Sequence, residues 1–333
     1  MTNSKHFPAF LAGLPSMTHK TVVITGTTSG TGKIAAATVA GLGAKVLVLN
    51  RASERSIAAF AELTAAHPDA DLHSVECDLQ SFDSVRAAAT TVADLCPEGV
   101  DVLANNAGVM ALADTATSDG YDVQMQTNHL SHFLLTRGLM PLLEVAAEAR
   151  GEARVANHSS IARMAPSKKL QAKYLEANGG DLGGDGSGIQ NMMFNGPRWQ
   201  RYNQSKLANA AFTAALHHHL QASDSKVKAL VAHPGLANTH LQQTSVNEGG
   251  MGSMFTNLFM RFSQTPEDGA MGLLSCMCLA DAASGQFYGP GSGAMSMRGK
   301  AEPFDLESYY DNTATRELLW NKSEEATGGS FDI

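Results

Sequence analysis

The sequence predicts an α/β fold, a single doubly wound parallel sheet of about seven strands with helices packed on both faces. From Thr21 onward, short runs rich in β-branched residues alternate with longer Ala-rich segments of helical period, which is the pattern of strand–helix–strand units. The chain has 333 residues, 44% of them hydrophobic and 17% charged, which is enough apolar material for a complete core. This composition excludes a disordered or fibrous protein.

Seven segments are predicted to form the strands, and helices fill most of the gaps between them. They are Thr21–Thr25, Lys45–Leu49, Leu72–Cys77, Val100–Ala104, Ala153–His158, Lys226–Ala232 and Gln286–Tyr288. We expect an N-terminal extension over residues 1–20, one catalytic domain over 21–290 and a C-terminal extension over 291–333. The tail after Gly291 is expected to be irregular.

Two insertions interrupt the alternation, at Ala162–Pro197 and Gln242–Gln264, and both follow late strands. Ligands of open α/β sheets bind beyond the carboxyl ends of the strands, so the insertions are predicted to form a substrate lid. Packing in a satellite core or at a subunit interface is the alternative. Their apolar residues are Met164, Met192, Met193 and Phe194 in the first insertion, and Met251, Met254, Phe255, Leu258, Phe259, Met260 and Phe262 in the second.

The charge and cysteine content restrict the partners and the location of the protein. A net charge of −8 disfavours binding to nucleic acid or to anionic membranes, so small molecules or other proteins are the expected partners. The four cysteines, Cys77, Cys96, Cys276 and Cys278, are expected to be buried, reduced thiols. Neither a cleavable leader nor an apolar run long enough to span a bilayer is seen, which predicts an unanchored cytoplasmic protein.

The first predicted strand runs into a glycine-rich turn, Thr25-Gly26-Thr27-Thr28-Ser29-Gly30-Thr31-Gly32, which opens an Ala-rich helix. In a Rossmann-type fold, backbone N–H groups of such a turn and the helix N-terminus face a pyrophosphate. A side chain at Gly30 or Gly32 is expected to obstruct that approach. The turn by itself is weak evidence, because many strand–helix joints use glycine.

The second strand ends in Asn50-Arg51 and has no carboxylate until Glu54. A carboxylate at this strand end accepts hydrogen bonds from the ribose 2′-hydroxyl of NAD, whereas an arginine can bind the 2′-phosphate of NADP. Asn50 and Arg51 therefore predict NADP(H) as the cofactor. The alternative is that Arg51 is a solvated surface residue.

The segment Tyr202-Asn203-Gln204-Ser205-Lys206 opens an apolar-periodic helix. A spacing of four places the Tyr202 phenol and the Lys206 ammonium on one helical face, where the cation favours the phenolate. A phenol with an ordinary pKa of about 10 is a poor acid or base at neutral pH. Tyr202 is therefore predicted to be the general acid/base of a hydride-transfer reaction, and Lys206 to lower its pKa.

Further polar motifs lie between the glycine-rich turn and Tyr202. They are Asn105-Asn106-Ala107-Gly108, Asn128-His129-Leu130 and Ser159-Ser160. With the glycine turn and Tyr202-x-x-x-Lys206, they resemble the short-chain dehydrogenase/reductase family. The resemblance covers about Thr21 to Tyr288 and is greatest to the branch of retinol dehydrogenases and WW-domain oxidoreductases. It implies an NADP(H)-dependent enzyme that acts on an alcohol or carbonyl group. The resemblance also implies a dimer or a tetramer, whereas the two Met- and Phe-rich insertions suit a monomer equally well.

The resemblance also implies a role for each site residue. Tyr202 exchanges the proton, Ser160 bonds the substrate oxygen, Lys206 binds the nicotinamide ribose, and Asn128 holds a water that links Lys206 to solvent. The remaining residues bind the cofactor: Thr25, Gly26, Ser29, Gly30, Thr31 and Gly32 at the phosphates, Asn50 and Arg51 at the ribose, Asp78 and Leu79 at the adenine, Asn105, Ala107 and Gly108 at the adenosine side, Pro234, Gly235 and Thr239 near the carboxamide.

The sequence departs from the family pattern in the segment between Ser160 and Tyr202, which lie 202 − 160 = 42 positions apart where about a dozen is usual. Retinol dehydrogenase relatives and light-dependent protochlorophyllide reductases also lengthen this segment, so a bulky, apolar substrate is implied. Leu236 stands where the photochemical enzymes carry a cysteine, which leaves a protochlorophyllide-reductase-like double-bond reductase as a minor alternative.

Two other classes remain open. A non-catalytic NADP-binding regulatory protein is the first, because Rossmann domains are also used for binding alone. An epimerase or dehydratase that uses nicotinamide transiently is the second. No metal is expected, because the consecutive residues His217-His218-His219 diverge around a helix, and His129 and His132 lack further ligands nearby in sequence.

Overall fold

The computed structural model describes residues 4–164, 168–184, 196–236, 263–291 and 297–333. Within these ranges, eight strands form one sheet in the order β3-β2-β1-β4-β5-β6-β7-β8. Strands β1 to β7 pair in parallel, and β8 is antiparallel to β7. The strands are β1 Thr21–Thr25, β2 Lys45–Asn50, β3 Leu72–Glu76, β4 Val102–Asn105, β5 Ala153–His158, β6 Val227–Ala232, β7 Gln286–Pro290 and β8 Ala301–Asp305.

Helices cover both faces of the sheet. They are α1 Phe7–Ala12, α2 Gly30–Gly41, α3 Glu54–Ala66, α4 Phe82–Leu95, α5 Val123–Met125, α6 Ser131–Arg150, α7 Pro197–Ala222, α8 Pro266–Cys278 and α9 Thr313–Thr327. Successive strand residues point to opposite faces, so Val23 joins the core beneath α4, α6 and α7, while Val22 and Ile24 join the core beneath α2 and α8. Among the described helices, none is both long and apolar enough to cross a membrane.

The doubly wound parallel sheet predicted from the sequence is confirmed. All seven predicted strands occur, with ends that differ by one or two residues, as at Asn50, which belongs to β2. The four cysteines are buried and unpaired.

The expectation of an irregular tail after Gly291 is wrong, because β8 and α9 lie there. The strand β8 contains one Pro and one Phe, and it owes its extended form to pairing with β7 rather than to local propensity. The helix α9 packs on α7, and its Trp320 stacks on Phe331 with ring centroids 5.0 Å apart. The tail therefore completes the core on this face.

Asp268, in the first turn of α8, fixes the N-terminal segment. Its carboxylate accepts hydrogen bonds from the backbone N–H groups of His6 and Phe7, at 3.0 and 2.9 Å, and from the Ser4 hydroxyl at 2.7 Å. Because His6 provides no side-chain cap to α1, Asp268 caps that helix from a distant part of the chain. Burial raises the pKa of Asp268, but these hydrogen bonds outweigh burial and place the pKa below its ordinary value.

We expect Asp268→Asn to lower the free energy of unfolding by about 1–2 kcal/mol at neutral pH, because the cap loses its charge-assisted hydrogen bonds. The folded-state pKa is depressed, so the stabilisation is present above the unfolded carboxyl pKa of about 4 and disappears as the pH falls through the folded value. Urea unfolding of both proteins at several pH values measures this difference. The exposed Asp281 provides the control, Asp281→Asn. Equal stabilities at pH 7 would contradict the capping role.

Candidate active site

The site lies at the carboxyl edge of the sheet, between the parallel strands β1 and β4, where the order in which successive strands join the sheet reverses. In open α/β sheets this switch point forms the ligand-binding crevice. The glycine-rich turn follows β1, the Asn105–Gly108 segment spans the end of β4 and the start of its loop, Ser160 follows β5, and α7 carries Tyr202 and Lys206. The topology therefore brings together motifs that are widely separated in the sequence.

The glycine-rich turn packs directly against the loop after β4. Gly26 and Gly30 have φ values of +70° and +59°, which disfavour other residues. A Cβ on Gly26 would lie 2.7 Å from the Cα of Ala107, and one on Gly32 would lie 2.2 Å from Nδ2 of Asn106. From the sequence, we expected glycine at position 32 to be needed because a pyrophosphate approaches the backbone there. In the structure, contact with the protein's own chain already requires it.

The N-terminus of α2 can receive an anion. Its N-cap residue Ser29 makes no side-chain capping hydrogen bond. Capping bonds are present at α3, α4, α8 and α9, from Ser53, Ser81, Thr265 and Asn312 respectively. The N–H groups at the start of α2 are therefore left for another acceptor, and the residues present fit a dinucleotide pyrophosphate.

Asn106 joins the glycine-rich turn to β5, a role for which the sequence analysis assigned no residue. Its Nδ2 donates to the carbonyls of Thr25 and Gly26, at 2.8 and 3.1 Å, and its Oδ1 accepts from the Thr31 hydroxyl at 3.1 Å and pairs with Nδ1 of His158 at 2.9 Å. The only sequence signal was its place in the Asn-Asn-Ala-Gly segment.

Thr25 and Asn105 also make internal contacts. Oγ1 of Thr25 accepts from the N–H groups of Asn106 and Ala107, both at 3.0 Å. The Asn105 amide donates to Thr136 at 3.0 Å and to Asn157 at 2.9 Å. Both side chains are fully buried, so their geometry supports the shape of the crevice.

At the end of β2, Asn50 and Arg51 differ in their surroundings. Oδ1 of Asn50 accepts from the Thr27 N–H at 2.9 Å, and its Nδ2 donates to the Thr27 hydroxyl at 2.8 Å. Arg51 is exposed. Asn50 therefore holds the glycine-rich turn in place, while the Arg51 side chain remains accessible to a ligand.

The other residues expected near the cofactor lie on the loops of the same edge. Asp78 accepts a hydrogen bond from the Gln80 N–H at 2.9 Å, and the carbonyl of Leu79 accepts one from Ser131 at 2.6 Å. The carbonyl of Pro234 accepts from Gln264 at 2.7 Å, and Gly235 has a φ of +61°. Thr239 lies outside the described residues.

Tyr202, Lys206 and Asn128 converge beside Gly108. Nζ of Lys206 lies 6.0 Å from the Tyr202 ring centroid and donates to the carbonyl of His158 at 3.0 Å. Nδ2 of Asn128 donates to Oγ of Ser205 at 2.8 Å. A Cβ on Gly108 would lie 3.0 Å from Oδ1 of Asn128 and 3.2 Å from Nζ of Lys206. A larger residue at position 108 would therefore have to displace Asn128 or Lys206.

Burial dominates the titration of Tyr202 and Lys206. It raises the pKa of Tyr202 to about 12, although a hydrogen bond with Ser160 opposes the shift, and it lowers the pKa of Lys206 to about 8. The sequence predicted that Lys206 would lower the Tyr202 pKa. In the structure, burial outweighs any such effect. At neutral pH the phenol is therefore protonated and the ammonium is charged.

The longest described part of the first insertion, residues 168–184, is attached to α7 beside the site. Nε2 of Gln204 donates to the carbonyl of Lys169 at 2.8 Å, and its Oε1 accepts from the Gln171 N–H at 3.0 Å. Tyr174 and Leu175 are buried in the main core. This part therefore packs on the main core, whereas the alternative interpretation placed the insertion in a satellite core or at a subunit interface. Met192, Met193, Phe194 and residues 237–262 lie outside the described residues, so the lid remains a prediction.

No cluster of three His, Cys, Asp or Glu side chains suited to a metal occurs in the described ranges. His129 pairs with Ser323 at 2.8 Å, and His132 pairs with Thr25 at 2.9 Å.

The doubly wound sheet, the uncapped α2 and the Tyr202–Lys206 pair define a nicotinamide-dependent oxidoreductase. The family model for short chain dehydrogenase matches residues 20–174. Mouse retinol dehydrogenase 14 (Mus musculus) is 35% identical over 290 residues, which cover 83% of this chain and 80% of that protein. Human retinol dehydrogenase 12 (Homo sapiens) is 31% identical over 317 residues, 93% of this chain and 86% of that protein. The chain belongs to the short-chain dehydrogenase family, in its retinol dehydrogenase-like branch.

Solved structures share the fold. A crystal structure of an uncharacterized protein from Mycobacterium paratuberculosis superposes with a TM-score of 0.72 at 30% identity, covering 97% of this chain and 98% of that one. A Pseudomonas aeruginosa RhlG/NADP active-site complex gives a TM-score of 0.61 at 22% identity over 84% of this chain and 98% of that one. At that identity, the second likeness concerns the fold alone.

Proposed function

We propose that this protein is an NADP(H)-dependent oxidoreductase that interconverts an alcohol and a carbonyl group on a bulky, apolar small molecule, with Tyr202 as general acid/base. The observation that carries the proposal is the pairing of Tyr202 and Lys206 on α7, with Nζ of Lys206 6.0 Å from the Tyr202 ring centroid, at the same carboxyl edge of the sheet as Ser160 and the uncapped N-terminus of α2.

Each polar group of the site has a defined task in the reduction. The dinucleotide, when bound, supplies the hydride that reaches the carbonyl carbon. The Ser160 hydroxyl bonds the carbonyl oxygen and polarises it, and the Tyr202 hydroxyl donates its proton to that oxygen, so that an alcohol and a phenolate result. The charged Lys206 stabilises the phenolate until it regains a proton. Asn128 donates a hydrogen bond to Ser205, which lies between Tyr202 and Lys206 in the sequence, and so holds this part of α7 in position.

The preference for NADP(H) rests on the end of β2. Asn50 is neutral, and the exposed Arg51 can form a bidentate pair with a 2′-phosphate. No carboxylate competes for the ribose at these two positions. The charge pattern therefore favours the phosphorylated cofactor.

An apolar substrate is supported by the surroundings of Tyr202. Tyr202 belongs to a small hydrophobic cluster, separate from the two main cores, with Ala111, Ala162 and Trp199. The Trp199 and Tyr202 rings pack edge to face, with their centroids 5.8 Å apart. Relatives named retinol dehydrogenases support the same class of substrate. Apolar side chains around the proton donor favour apolar carbonyl compounds over charged or sugar-like ones.

The decisive test measures NADPH oxidation with aldehydes and ketones of increasing apolar size, including retinal, and identifies the products. We expect alcohols as products and a higher kcat/KM for the larger apolar compounds. Tight NADPH binding without consumption would indicate a regulatory protein, and reduction of a carbon–carbon double bond would indicate a protochlorophyllide-reductase-like activity. Either result would overturn the proposal.

The direction of the reaction should respond to pH through Tyr202. Alcohol oxidation needs the phenolate, and because the pKa of Tyr202 is raised to about 12 in the free protein, the deprotonated fraction grows with pH. We expect kcat/KM for oxidation to rise up to about pH 8 and then to level off, because Lys206 loses its charge there. Carbonyl reduction should show no such rise. An oxidation rate independent of pH between 6 and 8 would contradict this role.

A further inference from the structure

Arg163 is a buried cation three residues after Ser160, and it is paired with the C-terminal segment. Its side chain is fully buried, and its Nε lies 2.7 Å from Oε2 of Glu307. The guanidinium carbon lies 4.2 Å from the centre of the Phe287 ring, so the cation also faces an aromatic ring. The Tyr309 hydroxyl bonds the same Glu307 oxygen at 3.1 Å. Residues beyond the predicted catalytic domain thus reach the neighbourhood of the reacting centre.

The same arginine holds Ser160. Nη1 of Arg163 donates to the carbonyl of Ser160 at 3.1 Å, and the backbone N–H of Arg163 donates to that carbonyl at the same distance. In the same turn, the Ala162 N–H donates to Oγ of Ser160 at 3.2 Å. This bond occupies a lone pair of the hydroxyl and leaves its proton for Tyr202 or a substrate oxygen. Both the backbone and the side chain of Ser160 are therefore oriented by this turn.

Stability alone does not account for a fully buried arginine at this place, whose partner Glu307 keeps 20% of its side chain exposed. Taking the Arg163 charge out of water costs several kcal/mol, and apolar residues of similar volume often stabilise such a position as well or better. The planar guanidinium group of Arg163 can donate hydrogen bonds to Glu307 and to the Ser160 carbonyl at the same time, so that the positions of these two acceptors are fixed relative to each other. Such geometry is useful where a hydroxyl must be placed within a few tenths of an ångström.

We infer that Arg163 and Glu307 form a positioning pair that fixes the Ser160 hydroxyl against Tyr202, which makes the C-terminal segment part of the active site. The inference rests on the proposed function. The arginine touches neither the substrate nor the reacting atoms, and it acts through Ser160.

The test compares kcat, KM and NADPH affinity in Arg163→Met, Arg163→Lys and Glu307→Gln. We expect Arg163→Met to lower kcat by about tenfold or more and to leave NADPH affinity within about twofold, with partial recovery in Arg163→Lys. Arg154, buried at the opposite end of β5 and paired with Glu152, provides the matched control. Arg154→Met should reduce thermal stability and preserve kcat.

A double-mutant cycle with Ser160→Ala separates positioning from folding. If Arg163 acts through Ser160, Arg163→Met should lower kcat little further once Ser160 is alanine. Additive losses, or a loss in Arg163→Met that matches the fraction of unfolded protein, would overturn the inference. An inactive wild-type protein would instead overturn the proposed function, and the two failures are therefore distinct.

Discussion

Replacing Tyr202 with Phe is expected to reduce turnover at least about a hundredfold and to leave NADPH affinity nearly unchanged. The substitution removes only the hydroxyl that donates the proton, and the ring keeps its edge-on contact with Trp199 at 5.8 Å. Because the pKa of the phenol is raised to about 12, the hydroxyl is a proton donor at neutral pH.

Steady-state kinetics with NADPH and the best carbonyl compound, combined with NADPH titration followed by fluorescence, test this expectation. Tyr288→Phe is the matched control, because it removes a buried phenol that bonds Gln286 on the same strand, β7. The control should keep its turnover. If Tyr202→Phe retains most of the wild-type kcat, another group donates the proton, and the assignment of Tyr202 is wrong.

Local patterns were sufficient to predict much of the fold and the arrangement of the motifs. The run Thr21–Thr25 followed by glycines defines β1 and its turn, and the spacing of Tyr202 and Lys206 needs only the geometry of one helix. These features depend on residues that are adjacent along the chain, or one turn apart, and the sequence displays them directly.

The contacts that support the site could not be predicted in the same way. Asn106 was visible in its motif, but its bonds to Thr31 and His158 depend on how the loop after β4, the start of α2 and the end of β5 meet at the edge of the sheet. The partner of Arg163 is Glu307, 144 positions later. The tail that carries Glu307 has a weak strand pattern and becomes regular by pairing with β7. Tertiary partners of this kind leave no periodic signal.

Asn50 shows how the structure changes the interpretation of a predicted residue. From the sequence, its importance was the absence of a negative charge at the ribose. The structure adds a second task, since its amide bonds both the N–H and the hydroxyl of Thr27 and so fixes the glycine-rich turn. A substitution that tests cofactor choice must therefore preserve these two bonds.

Asn50→Asp combined with Arg51→Ala is expected to invert the cofactor preference from NADPH to NADH. An aspartate at position 50 can accept hydrogen bonds from both the N–H and the hydroxyl of Thr27, so the turn should keep its shape and only the charge should change. The 2′-phosphate then loses its bidentate partner and meets a like charge, whereas the 2′-hydroxyl of NADH gains an acceptor. A hydrogen bond to a charged group contributes about 1.5–3 kcal/mol, so the two changes together should shift the ratio of kcat/KM values by about a hundredfold or more.

The measurement is kcat/KM for NADPH and for NADH in the double variant, in each single variant and in the wild type. Arg55→Ala removes another exposed arginine, on α3, and serves as the control for a general loss of positive charge. We expect this control to keep the NADPH preference, because Arg55 lies five residues beyond the end of β2, the strand that faces the ribose. Arg51→Ala alone should weaken NADPH use without improving NADH use, and Asn50→Asp should supply the gain for NADH. A wild-type protein that already prefers NADH would show that the interpretation of this strand end is wrong.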